Sequence, residues 1–144
     1  MENYFRDALL ELLNDNQLSV EQFAQKSKIN LSEAYRYLRG ECVPKFSNVV
    51  KIADAFGLSV DYLLGRAPYP ERANFRPTPA FSRRFRELLA QKNLSRYQLC
   101  KDTGIAINRL DDWYHGRCMP SLEKALTLAE YFHCSLDELL GREG

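Results

Sequence analysis

The chain is poor in the residues that most catalytic and metal chemistry requires. Its 144 residues include four cysteines and two histidines. There is no Cys-x-x-Cys, and His115 and His133 complete no zinc-type ligand spacing. No nucleophile–base pair and no phosphate-cradling Gly loop is present. Asp111-Asp112 as a general acid/base pair is weaker than its reading as surface charge, so an enzyme is not expected. No apolar run approaches the ~18 residues of a membrane helix. The first residues are polar and acidic, unlike a secretory leader. No cofactor, small-molecule ligand or membrane partner is implied.

Net charge is also lacking: +1 overall, with acids and bases nearly balanced in each half. A global basic field, the usual mark of a nucleic-acid binder, is therefore absent, although a local basic face is compatible with that balance. Cys100 and Cys134 fall at apolar-pattern positions and are expected as reduced core residues. Cys42 and Cys118 sit at equivalent loop positions before Pro44 and Pro120; they read as an inherited small loop residue, with a disulfide between them as the alternative. A reducing cytoplasm is the expected compartment.

What is present is a duplication. The stretch Leu18 to Gly65 returns as Leu94 to Gly141, at a constant offset of 76 residues without a gap. Leu18 and Leu94, Ser19 and Ser95, Gln22 and Gln98, Ile29 and Ile105 agree. So do Gly40 and Gly116, Pro44 and Pro120, Ala53 and Ala129, Phe56 and Phe132. Both copies close on Ser-x-Asp-x-Leu-Leu-Gly-Arg, at 59–66 and 135–142. Two domains follow, residues 1–66 and 81–144, joined by a Pro-rich linker over 67–80. Each is near the lower size at which a domain folds alone.

The patterning within each copy is helical throughout, with no strand period. Phe5, Leu9, Leu12 and Leu13 share one face of a first helix, as do Phe81, Phe85, Leu88 and Leu89. Ser19 with Gln22, and Ser95 with Gln98, predict capping boxes for the second helices. Ile29 plugs the next turn, and Asn30 is placed to cap a third helix over 31–39, closed by Gly40. The second copy's third helix runs about 107–115. Ala34, Tyr37 and Leu38 face inward; Trp113 takes the position of Tyr37. A fourth helix spans about 46–56 and stops at Gly57, which His133 replaces as a solvent-facing loop residue. Ser59 and Ser135 cap short fifth helices, and Ser121 caps the fourth helix of the second copy. Pro79 is suited to the first turn of the helix it precedes.

In order and twice, these features resemble the phage repressor and Cro family of helix-turn-helix (XRE-like) regulators. The resemblance covers both copies almost entirely. It implies an all-α fold of two tandem five-helix, lambda-repressor-like domains. It also implies that helices 2 and 3 form the helix-turn-helix, with helix 3 in the major groove of double-stranded DNA. Base-reading positions are then Leu31, Ser32, Glu33 and Arg36, and in the second copy Ile107, Asn108, Arg109 and Asp112. Phosphate contacts map to Val20, Asn30, Arg39 and Lys45, then to Arg96, Ala106, His115 and Arg117. Arg72, Arg76, Arg83, Arg84 and Arg86 bracket the linker, either as a solvated face or as a phosphate strip.

Arg36 and Arg109 have the fork for guanine, and Asn108 for adenine. Against a simple reader stand Val20, Leu31 and Ile107, which are apolar where the family is usually polar, and Glu33, Asp111 and Asp112 near the phosphates. Tyr35 is expected to be exposed, which favours interfaces. The expected function is a cytoplasmic, bacterial or phage-like transcriptional regulator, read as a repressor. The alternative is a degenerate helix-turn-helix module for partner docking or homodimerisation through the helix-5 regions. An extended linker of roughly 14 residues reaches about 43 Å, enough for half-sites about 34 Å apart. Because the two third helices differ, an asymmetric site is expected.

Overall fold

The computed structural model describes residues 2–67 and 77–142, with side chains from residue 4. Contacts divide the chain into two compact units, Met1–Phe75 and Arg76–Gly144. Arg72, Arg76 and most of the expected linker lie outside the described residues. The first unit contains α1 (Glu2–Asn16), α2 (Val20–Ser27), α3 (Leu31–Leu38), α4 (Phe46–Phe56) and α5 (Val60–Leu63). The second contains α6 (Phe81–Gln91), α7 (Arg96–Thr103), α8 (Ile107–Tyr114), α9 (Leu122–Tyr131) and α10 (Leu136–Leu139). Among the described residues there is no strand, so the fold is all-α as the sequence predicts. Among the described residues no helix is long and apolar enough to cross a membrane.

The spacing of apolar residues dictates the packing. Phe5, Leu9, Leu12 and Leu13 recur at helical period and are all buried. They put one face of α1 on α3 and α5, while α2 packs on α3 and α4. Phe23, Ile29, Ala34, Val49, Ile52, Val60 and Leu63 complete that core. The second unit repeats the arrangement around Phe85, Leu99, Ile105, Leu110 and Leu128. Tyr37 and Trp113 are both core residues, as expected, and Tyr37 meets Phe5 edge-on at 5.4 Å. Leu38 is half-buried rather than inward. Cys100, in α7, and Cys134, in the loop between α9 and α10, are also half-buried instead of core; none of the four thiols is in a disulfide.

Helix termini show where local sequence decides and where it does not. The Ser19–Gln22 box forms completely: Gln22 N–H donates to Ser19 Oγ at 3.2 Å, and Ser19 N–H to Gln22 Oε1 at 2.9 Å. The second box is only half formed. Gln98 N–H donates to Ser95 Oγ, but the Gln98 side chain donates to Asp102 at 2.8 Å instead. Asn30 occupies the N-cap of α3 without a side-chain cap bond, because its amide goes to Glu33. Pro79 lies before α6, whose N-cap is Ala80. Ser59, Ser121 and Ser135 cap as the sequence predicts.

Two stops are informative because the copies differ there. Lys28 ends α2 at φ +61°, where the second unit has Gly104 at +76°. His133 follows α9 at φ +54°, where the first unit has Gly57 at +65°. The turn thus requires a left-handed residue whichever side chain occupies it, and a Cβ there costs roughly 1–2 kcal/mol against glycine before unfolded-state entropy offsets part of it. A Cβ built on Gly57 or Gly104 would meet nothing within 4 Å, so the cost is conformational and not steric crowding. His133→Gly is therefore expected to stabilise the second unit by up to about 1 kcal/mol. Urea unfolding followed by Trp113 fluorescence would show a raised midpoint; a lowered one would contradict the conformational argument.

Candidate nucleic-acid interface

The turn between α2 and α3 is fixed by Ile29, and that between α7 and α8 by Ile105. Both isoleucines are buried and pull their turns onto the core. Each third helix then buries one stripe (Ala34 and Tyr37, or Leu110 and Trp113) and leaves the opposite stripe in solvent. On α3 the outward residues include Leu31, Ser32, Tyr35 and Arg36; on α8 they include Ile107, Asn108 and Arg109. Leu31 is 41% and Ile107 38% exposed, so an apolar side chain stands at the front of each helix.

Glu33 has a structural partner set. Asn48, which is buried, donates its side-chain N–H to Glu33 Oε2 at 2.9 Å and to the Tyr37 hydroxyl at 2.8 Å. Tyr37 donates to the same carboxylate at 3.3 Å and accepts from Lys45 N–H. Asn30 and Lys45 Nζ complete the set at 3.2 and 3.5 Å. Burial pushes the Tyr37 phenol up from its ordinary value, favouring the hydroxyl that this network needs. Glu33 thus ties α3 to α4, and its carboxylate is half-buried. In the second unit Arg109, Trp113 and Lys124 stand at the positions of Glu33, Tyr37 and Asn48, which replaces the polar network by an aromatic core residue.

The cations separate into two groups. Most phosphate candidates are paired within their own unit. Arg39 pairs with Glu41 at 2.8 Å, Lys45 with Glu33, Arg96 with Asp111 at 2.8 Å and Arg117 with Asp112 at 3.1 Å. Arg83 pairs with Glu87 at 3.3 Å. Arg84 donates to the carbonyls of Leu139 and Glu138, closing the end of α10, with its side chain mostly covered. By contrast Arg36 and Arg109 are exposed and pair with no carboxylate among the described residues. Asn108, Ser32, His115 and Ala106 are exposed beside them in sequence, and Val20 is half-buried. Asp112, offered for base reading, is instead held by Arg117.

The outer face joining α2 to α3 differs between copies. In the first, Tyr35 donates to Glu21 at 3.1 Å, and that bond holds the phenol above its ordinary range. In the second, Arg96 lies over the Tyr114 ring at 4.0 Å from its centroid, and Arg86 over the same ring at 5.6 Å. The role of Tyr114 was not evident beforehand; the signal was the change from Leu38 to an aromatic at the equivalent position. Among the described residues no cluster of His, Cys, Asp or Glu is placed to hold a metal ion.

Comparison with known proteins agrees with this geometry. Residues 84–144 match the Cro/C1-type HTH DNA-binding domain family, and residues 9–63 match a helix-turn-helix family. A Haemophilus influenzae protein described as an uncharacterized HTH-type transcriptional regulator is 39% identical over 54 residues, which are 38% of this chain and 23% of the relative. The chain thus spans less than a quarter of that relative's length. No solved structure matches the chain significantly. The two family matches fall on the two five-helix units and together cover most of the sequence: the chain belongs to the Cro/C1-type (XRE-like) helix-turn-helix family and carries its domain twice.

Proposed function

We propose that the chain is a DNA-binding transcriptional regulator, acting as a repressor in a bacterial or phage-like cytoplasm. In this reading α3 and α8 enter the major groove of double-stranded DNA. Its domains are taken as residues 1–66 and 81–144, with 67–80 spanning between half-sites. The observation that carries this reading is the pair of exposed guanidiniums, Arg36 and Arg109, on the outer faces of α3 and α8, which pair with no carboxylate among the described residues while most of the phosphate candidates do. Arg36 and Arg109 are not equivalent under the 76-residue offset: they stand at the sixth and third positions of their helices. A bidentate contact from each would read bases at different places in the two half-sites, so the preferred operator is asymmetric. A perfectly palindromic selected site would count against this.

Arg36→Ala and Arg109→Ala are each expected to weaken binding to a selected operator by about 1–3 kcal/mol, roughly 5- to 150-fold. Loss of binding to random duplex should be much smaller. Equal losses on both DNAs would reduce these residues to general charge contacts. The competing reading, a module for partner docking or homodimerisation, is favoured by exposed Leu31, Tyr35 and Val43 in the first unit. It predicts that substituting these three disrupts a protein complex and leaves DNA binding intact.

A further inference from the structure

Resting on the DNA reading above, we infer that the second unit supplies most of the chain's grip on the phosphate backbone. It does so through a cationic groove between α6, α7 and α8, whose counterpart in the first unit lacks those cations. The groove is open, about 820 Å³ in volume, and is lined among others by Arg86, Arg96, Tyr97, Ile107, Asp111 and Tyr114. Arg86 and Arg96 both face the Tyr114 ring. The groove therefore gathers two guanidiniums and one carboxylate, Asp111, which engages Arg96. Arg86 binds only the Ser82 carbonyl of its own helix among the described residues. Two like charges gathered against one aromatic ring are stabilised when an anion joins them, and a phosphodiester supplies that anion. The aromatic ring also keeps both guanidiniums in place before binding, which limits the entropy lost on contact.

The first unit shows the contrast at the same fold positions. Leu10, Val20, Leu31, Tyr35 and Leu38 stand where the second unit has Arg86, Arg96, Ile107, Asp111 and Tyr114, and Glu21 stands where Tyr97 does. Leu10 is 48% exposed, so the copies differ in charge on a solvent-facing surface and not in a core. No cation remains at these positions in the first unit. The duplicated halves have thus diverged in the chemistry of one surface: charge in the second, apolar area in the first.

The test uses the full chain and a fluorescent random-sequence duplex, with anisotropy measured over a range of salt concentrations. Neutralising one phosphate contact changes the slope of log K against log salt by about 0.9. The Arg86→Gln/Arg96→Gln double variant is expected to reduce that slope by about two and to weaken binding about tenfold or more at low salt. Leu10→Gln/Val20→Gln in the first unit should leave the slope unchanged. Arg86 is exposed and Arg96 half-buried, and Trp113, the single tryptophan, reports by fluorescence whether the second unit stays folded. An unchanged slope in a folded double variant, with the parent binding steeply, would overturn the inference and leave the DNA reading standing. Failure of the parent to bind at low salt would overturn both.

Discussion

Arg142→Ala is expected to destabilise the second unit by about 3–5 kcal/mol. Asp137 and Arg142 are each about 1% exposed, and Arg142 Nη1 donates to the Asp137 carboxylate. The backbone reinforces the contact, with Arg142 N–H donating to Asp137 C=O at 2.9 Å. Removing the guanidinium takes from a carboxylate in a low-dielectric site the counter-charge that Arg142 supplies, and that contribution no longer offsets the desolvation cost. A unit of this size has a total margin of roughly 3–10 kcal/mol, so the variant would be largely or wholly unfolded at ordinary temperature.

The first copy supplies the internal control. Asp61 and Arg66 occupy the same positions at 3.2 Å, but the Arg66 side chain is 39% exposed. Water can replace that cation, so Arg66→Ala should cost about 1 kcal/mol or less. Urea unfolding of both variants decides the matter: similar losses would show that burial is not what sets the cost.

Trp113→Ala is expected to cost a comparable 3–5 kcal/mol. Trp113 is 2% exposed and meets the rings of Phe81 and Phe85 edge-on at 6.3 and 6.0 Å. It joins α8 to α6, the helix on which α8 is seated. The alanine variant loses the transfer energy of the indole, leaves a cavity that a small core collapses into only partly, and breaks two aromatic pairs. DNA binding by the second unit should fall with its helicity, measured by circular dichroism. Retention of full helicity and a normal unfolding midpoint would show that α8 is held by something other than this cluster. Trp113→Phe, which keeps much of the volume, should be distinctly milder.

Much of the fold was legible because helical period, capping serines and turn residues act locally. Ser19, Ser59, Ser121 and Ser135 each satisfy a nearby backbone N–H, and the apolar stripes of α1 and α6 could be read residue by residue. The departures share a cause. Gln98 turned to Asp102, and Asn30 to Glu33, because a flexible amide carries both an acceptor and donors, and here its N–H found a carboxylate whose position is set by side-chain rotamers. Glu33 reads as an outward helix residue until α4 brings Asn48 against it, fifteen positions along the chain. Arg84 reads as part of a basic run until the end of α10 arrives with two carbonyls. Partners supplied by distant elements leave no periodic trace. The duplicated sequence partly compensates: where the copies differ at one position, as at Lys28 and Gly104, the shared backbone shows what that position demands.

The most direct measurement of DNA recognition is the affinity of the whole chain for random-sequence duplex at several salt concentrations. Binding at low salt, lost steeply as salt rises, is the predicted result, since each neutralised phosphate releases condensed counterions. No binding at low salt, where non-specific phosphate contacts should be strongest, would contradict the DNA reading and turn the exposed faces of α3 and α8 into surfaces for a protein partner.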